Sequence, residues 1–412
     1  YLANVSAWTR ARDVLRGEDA VKAAGERYLP RLELQSDAEF AAYKARAAFF
    51  NATARTADGF LGLVFRRPPF INLPPPATPL GNLLARFAQD TDLLGATLEH
   101  YAKDIVREVI AVGRAGTLVD WEGQSEARVY LARYAAENIL NWRVERVHGR
   151  NLLTLVVLHE PAGANNENPQ DEFAPRQSEQ IRVLKLVPHL AADGHPATAC
   201  QVEIWRQQPA ASLSPNSALR TPHSAFPSTI NHQPSTSPWS LTERRTPLRL
   251  GRPLPLIPFV FHGPRHALPE VDKLPLADMI AVNLDHYRLD ADYKHGMHYT
   301  AMPTAWVSGF DKNATLRSGA QTAWVADQAG AAAGFLEYKG EGLGTFERAL
   351  DRDERLMAVL GSRLLENQKR VGETAEAIEL RQSGEDCVLA GLARSVSASL
   401  TQVLRWACWW YS

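Results

Sequence analysis

Six side chains between positions 285 and 298 are of the types that build metal centres: Asp285, His286, Asp290, Asp292, His295 and His298. His295 and His298, three residues apart, could share one face of a helix, and the carboxylates could complete a divalent-cation site for metal-assisted phosphodiester cleavage. The plainer alternative is a set of ordinary polar residues spread over several faces of a helix that meets water and neighbours. Other chemistry-bearing patterns are thinner. Lys339-Gly-Glu-Gly-Leu-Gly344 is rich in glycine but lacks the spacing of a phosphate loop and reads as a flexible join before a helix. No His-Glu-x-x-His and no Gly-x-Ser-x-Gly occurs. The expectation is therefore a protein without catalytic residues, cofactor or metal.

Two further features have both a functional and a bland reading. Lys369 and Arg370 form an adjacent basic pair within the polar run Glu366–Glu373. They could touch phosphates without reading sequence, or be solvated and paired with the flanking glutamates. The ending Trp406, Trp409, Trp410 and Tyr411 could seat at a membrane interface. Its helix carries Glu385, Asp386, Arg394 and Arg405 instead of a basic face, which favours packing on a neighbouring element.

Composition bounds these readings. The chain has 412 residues, 45% hydrophobic and 22% charged, enough for one large core or several small ones. A formal net charge of −1 excludes a global pull towards nucleic acid, so any DNA contact must be local. Cys200, Cys387 and Cys408 are far apart and odd in number, which suits free thiols in a reducing compartment. No apolar run reaches membrane-spanning length, and Tyr1–Trp8 lacks a signal-peptide pattern.

Hydrophobic periodicity predicts an α+β chain. Phe40, Tyr43, Ala47, Phe50, Ala54 and Leu61 predict one helix over 38–62, and a second helical stretch runs from Pro79 to Val112, stopping at Gly113. Thr117–Asp120, Leu152–Leu158 and Ile181–Val187 read as strands. Between Pro209 and Pro255 lie nine prolines and a single acid, Glu243, a segment expected to form a surface excursion between two strands, or a docking arm. A helix is expected from Leu276, then β-like pieces at Trp306-Val307, Thr322–Val325 and Phe335–Tyr338, with Trp306 and Trp324 as core or interface aromatics. A charged helix then runs from Leu343 to Leu365, and a final long helix carries Leu389, Leu392, Val396, Leu400 and Val403, with a kink expected at Ser383-Gly384.

Several runs along the chain carry a resemblance. Tyr28-Leu-Pro30, Tyr43–Phe49, Phe60–Phe65, Val112–Asp120, Tyr134–Trp142, Ile257–Phe261, Leu284–Asp292 and Gly372–Ala375 resemble, in order, a branch of the portal proteins of tailed bacteriophages long catalogued only as a domain of unknown function. The resemblance implies the phage portal fold and its parts: a mixed α/β wing over 1–275 with the excursion at about 206–255, stem helices over 276–299 and 341–365, a small α/β clip over 300–340, a tunnel loop over 366–377 and a helical crown over 378–412.

It also implies a homo-oligomeric ring, typically a dodecamer, at a capsid vertex of the virion. Double-stranded DNA would pass through it during packaging and ejection, and terminase large subunit, head-tail adaptor, major capsid and scaffolding proteins would be its partners, with no membrane. The expected sites follow from those parts. Asn367, Gln368, Lys369 and Arg370 would face DNA in the tunnel. Phe310, Asp311, Lys312, Asn313 and Arg317 of the clip would meet terminase and adaptor. On the second stem helix, Glu347, Arg348, Asp351, Arg352, Glu354 and Arg355 would line the tunnel or join subunits, with acids including Asp353 free to face the lumen. A conduit needs weak contacts, because a tunnel lined with many cations would hold DNA by counterion release. The competing classes are a metal-dependent nuclease built on the cluster at 285–298 and a membrane-associated scaffold using the aromatic tail.

Overall fold

A computed structural model describes residues 1–123, 127–147, 149–162, 178–190, 195–207, 239–300, 304–309, 330–336, 342–363 and 387–412. In chain order the helices are α1 (Leu2–Arg16), α2 (Glu18–Ala23), α3 (Asp37–Arg46), α4 (Ala52–Val64), α5 (Pro79–Gln89), α6 (Leu98–Val112), α7 (Ala277–Thr300), α8 (Leu343–Arg363) and α9 (Val388–Tyr411). The strands are β1 (Ala115–Glu122), β2 (Arg128–Ala135), β3 (Ile139–Val147), β4 (Arg150–Ala162), β5 (Ser178–Leu190), β6 (Pro196–Gln207), β7 (Trp239–Arg245), β8 (Leu248–Arg249), β9 (Arg252–Pro253), β10 (Phe259–His262), β11 (Thr304–Ser308) and β12 (Ala332–Leu336). The chain is α+β. It divides into a sheet unit (Tyr1–Trp8, Leu61–Pro275 and Leu389–Ser412) and a helical unit (Thr9–Phe60 and Leu276–Val388).

In the sheet unit, β10, β1 and β2 form one antiparallel sheet, and β3 to β7 form a five-stranded antiparallel meander in sequence order. The expected strands at 117–120, 152–158 and 181–187 are all present. β7 was not expected, because its composition resembles the proline-rich excursion before it. It forms because Gln207 pairs with Trp239 across the β6–β7 ladder and Trp239 packs on Val157, Ile181 and Val183. The excursion therefore connects two adjacent strands, and residues 208–238 lie outside the described residues.

The helical stretch 79–112 is two helices. α5 ends at Asp90, and the turn to α6 holds Leu93 at φ 66° and Gly95 at φ 92°, with the Asp90 and Asp92 carboxylates accepting from loop amides. Thr97 caps the start of α6, and Gly113, left-handed at φ 72°, ends it where expected. α5 packs tightly at its own start. A Cβ on Gly81 would lie 1.9 Å from the Pro75 carbonyl oxygen, a backbone atom. Gly81→Ala is therefore expected to destabilise the chain by about 1–3 kcal/mol, read as a lowered urea midpoint at unchanged slope.

The core of the sheet unit is tied by a buried chain of side-chain hydrogen bonds whose directions can be worked out. Ser399 donates to the Val396 carbonyl (2.8 Å), so its oxygen accepts from Nδ1 of His262 (2.7 Å). His262 Nε2 must then accept from Thr117 (2.7 Å), whose oxygen accepts from the Tyr101 hydroxyl (2.7 Å). Every donor is used once, and α6, β1, β10 and α9 are joined. Burial holds His262 neutral, its pKa pushed down to about 3. The C-terminal aromatics pack within the same unit: Trp410 stacks on Trp121 and donates to the Val119 carbonyl (3.3 Å), and the Tyr411 hydroxyl accepts from the Val129 amide (3.2 Å). Among the described residues no helix is long and apolar enough to cross a membrane.

The helical unit corrects a second expectation. The helix predicted over 38–62 is broken between α3 and α4, because backbone groups at Ala48, Phe50 and Thr53 bond to side chains of α7 instead of to their own helix. A capping box of Ser36 and Glu39 starts α3, and the Asn51 side chain, accepting from the Ala54 amide, starts α4.

Candidate functional site

The helical unit places the candidate metal ligands on α7, and their partners explain what they do. Asn283 donates to the Phe50 carbonyl (2.7 Å) and accepts from the Thr53 amide (3.1 Å) and hydroxyl (2.8 Å). Asp290 accepts from the Ala48 amide (2.6 Å) and pairs with Lys294 (3.2 Å). Asp292 accepts from the Tyr43 hydroxyl, and burial together with that bond raises the Tyr43 pKa. Arg46 donates to His295 Nδ1 (3.1 Å), and burial, then this guanidinium, lowers the His295 pKa. His286 lies 3.6 Å from Glu354. These side chains form a polar seam holding residues 43–53 against α7. Among the described residues no three His, Cys, Asp or Glu side chains gather where they could hold a metal ion.

α8 runs antiparallel to α7. Gly296 faces Leu343, Tyr293 donates to Glu347 (2.7 Å), His286 approaches Glu354, and Met279 lies beside Gly361, so residue numbers fall on one helix as they rise on the other. At about 100° per residue, Phe346, Leu350, Asp353, Met357 and Leu360 form the inward stripe. Met357 and Asp353 are 3% and 2% exposed. Asp353 was expected to be free to face a lumen. It instead sits between hydrophobic positions, and burial raises its pKa, with Asp285 adding to the effect. Its place three residues after Leu350 and four before Met357 is the sequence signal that could have revealed this.

Glu347, Arg348, Asp351, Arg352, Glu354 and Arg355 are all exposed. The helical period separates them by sign. Glu347, Asp351 and Glu354 fall within an arc of about 60°, and Arg348, Arg352 and Arg355 within another, centred about 100° further round. Leu356 and Val359, 40% and 42% exposed, lie on the arginine side. The chain segments that follow α7 and precede α8 meet as the antiparallel ribbon β11–β12, where Trp306 and Phe335 are 46% and 54% exposed. Trp324 and the clip residues Phe310, Asp311, Lys312, Asn313 and Arg317 lie outside the described residues. So do Asn367, Gln368, Lys369, Arg370 and the expected kink at Ser383-Gly384.

Residues 275–411, which begin two residues before α7 and end with α9, match the family model described as Domain of unknown function (DUF4055). No curated protein matches the chain. The matched segment contains the helix pair, the ribbon and the terminal helix together.

A serine–histidine contact also exists in the sheet unit, between Ser399 and His262. It is not arranged for nucleophilic attack. Ser399 is 1% exposed and spends its proton on a backbone carbonyl, so histidine has no serine proton to take.

Proposed function

We propose that the chain is the subunit of a phage portal, a non-enzymatic ring at a capsid vertex through which double-stranded DNA is packaged and ejected. α7 and α8 are its stem, and β11–β12 is the described part of its clip. The observation that carries this reading is the antiparallel helix pair, linked through an exposed aromatic ribbon, whose outer face separates acids from arginines. A strip of acids facing a tunnel repels phosphates weakly and lets DNA slide. The arginine strip, with Leu356 and Val359, has the mixed character of a subunit interface, and head-to-tail repetition of one such contact closes into a ring. The ribbon, which exposes Trp306 and Phe335, is where terminase and later an adaptor would dock. Lys369 and Arg370, with Asn367 and Gln368, would give the ring one belt of sequence-blind phosphate contacts.

The test is assembly. Wild-type protein should give ring particles in negative stain and a native mass of many subunits. Arg348→Glu, Arg352→Glu and Arg355→Glu together should reduce it to small species with an unchanged circular dichroism spectrum, because all three side chains are exposed. A wild-type monomer across salt and protein concentration would sink the reading. Full assembly by the triple variant would remove the arginine strip from the interface.

A further inference from the structure

In the sheet unit, α9 buries one stripe in the core and lays another, Val396, Leu400 and Leu404, along a groove. The second wall is the α6 face Leu98, Ala102 and Val106, and the third is the proline-rich segment between Val64 and Pro74. The groove encloses about 550 Å³, within the range of roughly 300–1,000 Å³ usual for small-molecule sites. Its residues on α9 run from Ala393 to Cys408, about 22 Å of helix at 1.5 Å per residue. Its length and its apolar lining suit an apolar chain laid along α9.

Charge narrows the ligand further. Among the described residues the only ionic side chains lining the groove are Arg67 and Arg405, both exposed. Among the described residues neither has an ion-pair or hydrogen-bond partner. An apolar slot flanked by two unpaired guanidinium groups, with no acid, complements an apolar chain bearing a carboxylate, which arginine binds with charge-assisted hydrogen bonds.

We propose that this groove binds a free long-chain carboxylate, its acyl chain lying along Val396, Leu400 and Leu404 and its head group on Arg405.

Cys408 lines the groove as a free thiol and supplies the readout. In a Cys387→Ser background, with Cys200 buried, the rate of maleimide alkylation at Cys408 is measured with no additive, with dodecanoate below its micellar concentration, and with dodecyltrimethylammonium. Dodecanoate should slow alkylation about tenfold when about nine chains in ten are occupied, and the cationic amphiphile should not. Arg405→Glu, with protection expressed relative to that variant's own unprotected rate, should raise the dodecanoate concentration needed by about tenfold or more. Equal protection by the cationic amphiphile, or undiminished protection in Arg405→Glu, would show apolar partition without a carboxylate site and overturn the proposal. So would no protection by dodecanoate. Protection only by phosphatidylglycerol vesicles would make the groove a membrane face, and protection only by an acidic amphipathic peptide would make it a protein-docking face. Either result overturns the proposal.

Discussion

Lowering the pH from 7.5 to 5 should reduce the thermal stability of the protein, and His262→Gln should remove much of that loss. An unfolded histidine titrates near pH 6.5, whereas burial holds His262 neutral down to about pH 3. Above pH 6.5 both states are neutral and the residue contributes nothing to the pH dependence. Between pH 6.5 and pH 3 the unfolded state binds the proton and the folded state does not, so stability falls as the pH falls. The loss attributable to His262 is about 2 kcal/mol at pH 5 and approaches about 5 kcal/mol near pH 3. A neutral amide at this position can still accept from Thr117 and donate to Ser399, so the buried chain of hydrogen bonds persists without a titrating group. Calorimetry of both proteins across this range decides the matter. Parallel melting-temperature curves would show that His262 is not the acid-sensitive element.

Asn283→Ala should be the most damaging single substitution in the helical unit, costing about 3–5 kcal/mol. Asn283 and Thr53 are both fully buried, and one amide side chain satisfies three groups at the start of α4. Alanine leaves the Thr53 amide and hydroxyl without their acceptor in a dry site, and each unmet buried donor costs about 1–3 kcal/mol. Phe50 keeps one partner, the Ala52 amide, so its carbonyl contributes less. Asn283→Asp separates the parts of this effect. It retains an acceptor for Thr53, loses the donor to Phe50 and adds a buried charge, which the two Thr53 donors only partly offset. Urea unfolding should place Asp between wild type and Ala. An alanine variant within about 0.5 kcal/mol of wild type would mean that water replaces the amide and that the seam does not hold α4 in place.

The sequence by itself determined the α+β class, the strands at 117–120, 152–158 and 181–187, the stop at Gly113, and the starts of α7 and α8. Each of these is encoded locally, in a period of 2 or 3.6 or a glycine beyond a last turn. It also marked Asp290, Asp292 and His295 as chemically loaded, without revealing for what. Whether carboxylates and imidazoles converge on a cation or disperse onto neighbours depends on segments some 240 residues away in the chain, at Tyr43, Arg46 and Ala48, and helical spacing carries no information about them. The same long-range contacts broke the helix predicted over 38–62, because a backbone amide that finds a half-buried carboxylate no longer needs its own helix. β7 arose where composition argued for a loop, since an edge strand takes its order from the ladder beside it more than from its own residues. The groove between α6 and α9 was equally hidden. Its two walls lie some 300 residues apart, and only their packing places two arginines beside an apolar slot that no acid lines among the described residues.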